Sequence, residues 1–161
     1  MEGKFKEIKQ EILRRAHGAG ACKEQYERAY KAETMAGLCR VIKDNWGWYC
    51  ILYVVTPDLL EKYREEFAEQ QIYVNVDTDN GFLLASGNAT VAASGNATVE
   101  AWGNATVEAS DNATVEAWGN AYCTSDSMLK CKLSGHALHK VRSTNTVYFA
   151  SDDIKFVKQE S

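Results

Sequence analysis

Through the first seventy residues the apolar positions recur at steps of three and four. In KFKEIKQEILRRAH the side chains of Phe5, Ile8, Ile12 and Leu13 make one stripe of an amphipathic helix, and the GAG at 18–20 stops it. The same spacing returns through Tyr26 and Tyr30 and again through Leu38, Val41 and Ile42. Thr56 then stands as a cap before Pro57, a residue suited to the first helical position because an amide proton there has no intrahelical partner to lose. The apolar run WGWYCILYVV at 46–55 has a period that fits helix and strand equally. Residues 1–70 are therefore expected to form a small helical bundle.

Beyond that point the period becomes two within a larger period of eight. DNGFLLAS, GNATVAAS, GNATVEAW, GNATVEAS, DNATVEAW and GNAYCTSD follow one another from Asp79, and the frame continues in degraded form to residue 158, ten octads in all. The third, fifth and seventh positions read Ala-Val-Ala and the fourth and sixth often Thr and Glu, the alternation of a half-buried strand. A meander of two-residue hairpins at each Gly-Asn is excluded by parity, because the apolar set would change faces at every strand. A parallel coil keeps it on one side. The expected fold class is α+β: an N-terminal helical bundle over 1–70 followed by a right-handed parallel β-solenoid over 71–161. Two octads per coil suit a gap between sheets of about 10 Å filled by Ala and Val, with three per coil as the alternative. Trp102 and Trp118, sixteen apart, suit the former.

Asn80, Asn88, Asn96, Asn104, Asn112 and Asn120 are expected to stack along the corners, with amide bonds running up each column. The seventh position runs Ala117, Ser125, Leu133, Val141, Phe149, Val157, so the interior is expected to widen toward the C-terminus. The helical part is expected to cap one end of the coil, and the charged SDDIKFVKQES to blunt the other.

Composition adds little until charge is divided by region. Residues 1–70 hold 12 Lys/Arg and 12 Asp/Glu, residues 71–118 hold none and 6, and residues 119–161 hold 6 and 4. An acidic middle without a cation argues against direct nucleic-acid binding through the solenoid centre. The first twenty residues lack the apolar core of a secretory signal and no apolar run is long enough to span a bilayer, so a cytoplasmic protein without membrane contact is expected. Five cysteines without framework spacing fit reduced thiols. The four NAT sequons at Asn88, Asn96, Asn104 and Asn112 then read as by-products of the repeat.

Five groups of side chains suggest chemistry. Cys123, Cys131 and His139 share the inward fifth position, a weak zinc candidate without CxxC spacing or a clear fourth ligand. Glu100, Glu108 and Glu116 recur on the outward parity, where paired carboxylates can do acid/base work but more often form a solvated face. Thr90, Thr98, Thr106 and Thr114 suggest an ice-binding array, weakened by the glutamates beside them. Trp102 and Trp118 replace Ser at the eighth position, where two indoles can make a sugar platform, a partner-binding hot spot or internal packing. Lys130, Lys132, Lys140 and Arg142 gather in the irregular octads with His136 and His139, suited to an acidic partner or to an ordinary charged surface. No catalytic residue, cofactor motif or phosphate loop is present, so the chain is not expected to be an enzyme.

RRAHGAGACKEQYERA, RVIKDNWGW and the tandem ASGNATVEAWGNATVEA together resemble a group of small bacterial, phage and mobile-element proteins with a helical N-terminal part and an octapeptide-repeat solenoid. The resemblance covers nearly the whole chain and carries no settled activity. Its context implies an anti-CRISPR or antirestriction inhibitor. The function expected is thus protein binding without catalysis, with Trp102, Trp118, Glu100, Glu108 and Glu116 as the candidate surface and a nucleic-acid-binding defence enzyme as the candidate target. The alternatives are a carbohydrate-binding or carbohydrate-active solenoid and a structural module that oligomerises through its ends.

Overall fold

The computed structural model describes residues 2–160, and the chain divides into two compact units between Val74 and Asn75. The first contains α1 (Glu2–Gly18), α2 (Lys23–Lys31), α3 (Met35–Asp44), α4 (Trp46–Ile51), α5 (Pro57–Lys62), α6 (Arg64–Ala68) and a short strand, β1 (Ile72–Val74). The stripe of α1 is buried at Ile8, Ile12, Leu13 and Ala16. Its C-terminus closes as the sequence demands: Ala21 N–H donates to Ala16 O, Ala19 N–H to Arg15 O, and Gly20 takes φ +76°, a left-handed conformation that costs glycine nothing. Thr34 Oγ1 caps α3 by accepting from Gly37 N at 3.1 Å, and Thr56 Oγ1 caps α5 by accepting from Leu59 N at 3.4 Å, ahead of Pro57. The ambiguous run at 46–55 turns out to be one short helix, α4, and a turn. In α2 the buried residue is Ala29, while Tyr30 points outward beneath the Lys9 ammonium, 5.6 Å from its ring centre.

The second unit is a parallel β-solenoid. Its strands are β2 (Phe82–Ala85), β3 (Thr90–Ala93), β4 (Thr98–Ala101), β5 (Thr106–Ala109), β6 (Thr114–Ala117), β7 (Tyr122–Ser125), β8 (Lys130–Leu133), β9 (Leu138–Val141) and β10 (Thr146–Phe149). Strands β2, β4, β6 and β8 lie side by side in one sheet, and β3, β5, β7, β9 and β10 in the other. Each parallel pair is offset by sixteen residues, Val99 beside Val115 and Val107 beside Cys123, so a coil is two octads and the triangular alternative is set aside. The physical reason is the lining: Ala97, Val99, Ala101, Ala105, Val107, Ala109, Ala113, Val115 and Ala117 are all at most 1% exposed, small side chains closing a gap between two facing sheets.

The corners are held mainly by backbone. Asn104 N–H donates to Gly87 O, Asn112 to Gly95 O and Asn120 to Gly103 O, each seventeen residues back and 2.8–2.9 Å long. One amide-to-amide bond of the expected column joins Asn104 Nδ2 to Asn88 Oδ1 at 3.4 Å.

The array does not run to residue 158. After four coils the chain turns back, and β10 pairs antiparallel with β9, Thr146 beside Val141 and Tyr148 beside His139. The turn is made by Asn145, which donates its N–H to Arg142 O and takes φ +51°. An antiparallel return exchanges the faces of the octad, the parity change that excludes hairpins from the regular coils. Phe149, expected to line the core, is consequently outside and 45% exposed, and Val157 is 86% exposed in a segment without strand. The run of seventh positions expected to line the core does not continue past Val141. The charged tail does not close the stack either: the hairpin ends the β3–β10 sheet, while Phe156 of the tail packs on Phe149 with ring centres 5.1 Å apart.

Candidate functional site

The outward face of the β2–β8 sheet carries a column in which Leu84, Glu100, Glu116 and Lys132 are successive neighbours. Sequence parity places these glutamates in water, and for Glu100 that expectation fails. Glu100 is 2% exposed, and its Oε2 accepts a hydrogen bond from Trp118 Nε1 at 3.2 Å. Burial first and the Glu116 carboxylate second push its carboxyl up to about 7, against the opposing effects of the Trp118 bond and Lys132. Glu116, half-buried, pairs with Lys132 Nζ at 3.7 Å. Glu108 lies on the other sheet, exposed, 3.3 Å from Arg142 Nη1. The five residues singled out in the sequence are thus split: Trp102, Trp118, Glu100 and Glu116 gather about one sheet and Glu108 does not join them.

The two indoles stack with centres 4.6 Å apart and planes at 46°. Trp102 is 8% exposed, so the pair packs as much as it displays. The threonines divide between sheets, Thr98 beside Thr114 and Thr90 beside Thr106, which leaves no single plane of four for ice.

Inside the coil the candidate metal set resolves into other bonds. Ser125 Oγ donates to Ser127 O at 2.8 Å, and its single proton is thereby used. The His139 Nε2 atom, 2.7 Å from the same Oγ, must then be the donor, leaving a buried neutral imidazole whose pKa burial holds below its ordinary value. Cys123 and Cys131 face each other across the core. A hydrogen bond with the Cys131 sulfur and burial raise the Cys123 thiol, and that bond lowers Cys131. Among the described residues no three His, Cys, Asp or Glu side chains come together to hold a metal ion.

In the helical unit a cavity of about 380 Å³ is lined by Gly20, Ala21, Cys22, Gln25, Asn45, Trp48 and Tyr49. The two motifs ACKEQY and KDNWGW meet there, joined by Asn45 Nδ2 donating to Gln25 Oε1 at 3.0 Å. Sequence spacing gave no sign of this convergence, because twenty residues separate the two amides.

A further site lies at the last coil, where the hairpin leaves the two sheets unequal. The β3–β10 sheet gains a strand beyond β9, and the other sheet ends at β8. The inner face of β10 therefore has no strand opposite it, and the residues of β8 have no neighbouring strand on their free side. Cys131 and Leu133 are only half-buried, whereas Val115 and Ala117, one coil earlier in the same columns, are 0% and 1% exposed. Tyr148 shares the inner face with His139, its ring centre 6.0 Å away, yet it is 42% exposed. Lys130 and Lys132 stand outward and exposed on the terminal strand. The sequence signal for this place was the basic cluster, but the missing strand was hidden in the one hairpin of the array.

Among the described residues no helix is long and apolar enough to cross a membrane. In comparisons with protein-family profiles, curated proteins and solved structures, nothing matches this chain.

Proposed function

We propose that the chain is a non-enzymatic protein-binding module that receives its partner at the open C-terminal end of the solenoid. The observation that carries this reading is the loss of cover over inner-face residues Cys131, Leu133 and Tyr148 at the last coil, where the lining of the two coils before it is closed. Uncovered interior surface rimmed by lysines is the composition of a docking site: apolar area to bury and charge to orient. Exposed Phe149 and Met128 extend the apolar area available nearby. The Trp102 and Glu100 positions are closed to solvent and serve as packing in this reading, which also removes the platform for a carbohydrate ligand. The narrower reading is an inhibitor of a nucleic-acid-binding defence enzyme. It is supported by the six acids and no cations of residues 71–118, a complement to a basic enzyme surface.

The test compares wild type with the double variant L133E/Y148E, circular dichroism confirming that both are folded. Affinity capture from bacterial extract, followed by calorimetry with the purified captured protein, is expected to give saturable binding for wild type and at least tenfold weaker binding for the variant. Equal affinity for both overturns the reading.

A further inference from the structure

Strand β8 ends its sheet with one row of backbone amides and carbonyls unpaired by any other described strand. An edge of this kind is a template for another extended chain. Its neighbourhood also specifies what that chain must be, because the solenoid repeats its pairing rule from rung to rung. On the outer face the columns run Thr98, Thr114, Lys130 and Glu100, Glu116, Lys132. On the inner face they run Val99, Val115, Cys131 and Ala101, Ala117, Leu133. A strand added about 4.8 Å beyond β8 places its outward side chains beside Lys130 and Lys132. Its inward side chains lie over Cys131 and Leu133 and face Tyr148 across the core.

Resting on the reading of this end as a binding surface, we infer that the occupant is an extended polypeptide segment with acidic and apolar side chains in alternation, docking as the missing strand beside β8. The charge argument separates it from the alternative occupant, a second copy of this chain. Two β8 strands pairing antiparallel would bring Lys130 and Lys132 of one against the lysines of the other, and like charges directly opposite are destabilising. Acidic side chains in those places gain the pairing that Glu116 already makes with Lys132 from the other side at 3.7 Å. The segment of this chain nearest in sequence is turned elsewhere, since Phe156 packs on the outward Phe149. The alternation of period two lets the segment lie in either direction, because both keep acid outward and apolar inward.

The probe is a fluorescein-labelled octad with Glu at the fourth and sixth positions, GNAEVEAS, against its counterpart with Lys there, GNAKVKAS, read by fluorescence anisotropy. The acidic octad is expected to bind wild type at least tenfold more tightly than the basic one, and to weaken at least tenfold between 50 and 500 mM salt. The double variant K130E/K132E, whose exposed substitutions leave the core untouched, is expected to reverse the order. Light scattering is expected to show a monomer at the concentrations used. A preference unchanged in K130E/K132E, no binding of the acidic octad by wild type, or a dimer that the acidic octad does not dissociate overturns the inference. If strand addition fails in this way while capture still depends on Leu133 and Tyr148, the protein-binding reading stands without it; if capture is also independent of those two residues, both fall.

Discussion

At its first rung the solenoid hands its exposed amides to side chains: Ser86 N–H donates to Asn75 Oδ1 and Ala92 N–H to Asp77 Oδ1, both at 2.8 Å. Thr78 then adds a parallel bridge beside Ala93, so the chain entering the coil covers the edge it is about to create. At the last rung one sheet is finished by the β10 hairpin and the other stops at β8, with its inner residues half-buried and two lysines outside. Exposed edges invite pairing with other chains, and natural sheets blunt them with charge, with cover, or not at all where pairing is the purpose. The difference teaches that the repeat decides the interior of the array, whereas its ends are decided by the few residues that break the repeat. Three measurements sharpen that contrast.

The largest effect is expected where a coil is stacked on both sides. Gly95 has φ +56°, and a Cβ placed on it would lie 2.1 Å from Asp79 O, a backbone atom that cannot yield without moving the coil below. Gly87 has φ +60° with nothing within 4 Å of that position. Both substitutions carry the left-handed penalty of roughly 1–2 kcal/mol, and Gly95→Ala adds the displacement of a corner, so about 4 kcal/mol is expected for it against about 1 for Gly87→Ala. Urea midpoints of the two variants check this, and equal shifts would mean that the corner relaxes freely. Asp111, next above Gly95 in the same column, shows that the conformation alone is tolerated: it takes φ +56° with a side chain, and its Oδ2 accepts from Gly95 N at 3.1 Å.

The octad period was legible because each position meets the same neighbours in every interior coil, and the count of two per coil followed from the size of Ala and Val. Helix ends at Gly20 and Thr56 were legible as local chemistry. Two things were not. GHALHKVR and STNTVYFA keep the frame of eight, so nothing periodic marks the hairpin between them; the reversal rests on Asn145 in a left-handed turn and on the pairing it permits. Glu100 and Glu108 occupy the same place in GNATVEA, and one is 2% exposed while the other is open to solvent. That difference comes from tertiary surroundings that a repeat unit cannot encode.

Glu100 gives the second measurement, intermediate in size. Its carboxyl is raised to about 7 from an ordinary 4.5. Below the ordinary value the group is neutral in both folded and unfolded chains and costs nothing. As the pH climbs from 4.5 through 7 the unfolded chain releases its proton first, and stability falls. The loss is on the order of 3 kcal/mol by pH 8. Glu100→Gln keeps an acceptor for Trp118 and removes the titration. It is expected to leave stability nearly unchanged at pH 4.5 and to raise it by about 2–3 kcal/mol at pH 8, measured by urea unfolding at both pH values. A wild-type stability flat across that range would show that Glu100 is solvated after all.

The smallest effect compares the same columns on the two sides of the contrast. Val115 is fully enclosed, and removing its two methyl groups forfeits burial and leaves a void between sheets, about 2 kcal/mol in all. Leu133, one coil later, loses three carbons in Leu133→Ala, yet it is half-buried with no strand beside β8 on its free side. A partly solvated site has less transfer energy to lose and no closed cavity to leave, so about 1 kcal/mol is expected despite the larger deletion. Residue size alone would order the two the other way. Thermal and urea unfolding of Val115→Ala and Leu133→Ala in parallel therefore test whether cover, rather than side-chain volume, governs the last coil. A greater loss at Leu133 would mean that the terminal rung is as closed as those before it, and that β8 is not an edge awaiting a strand.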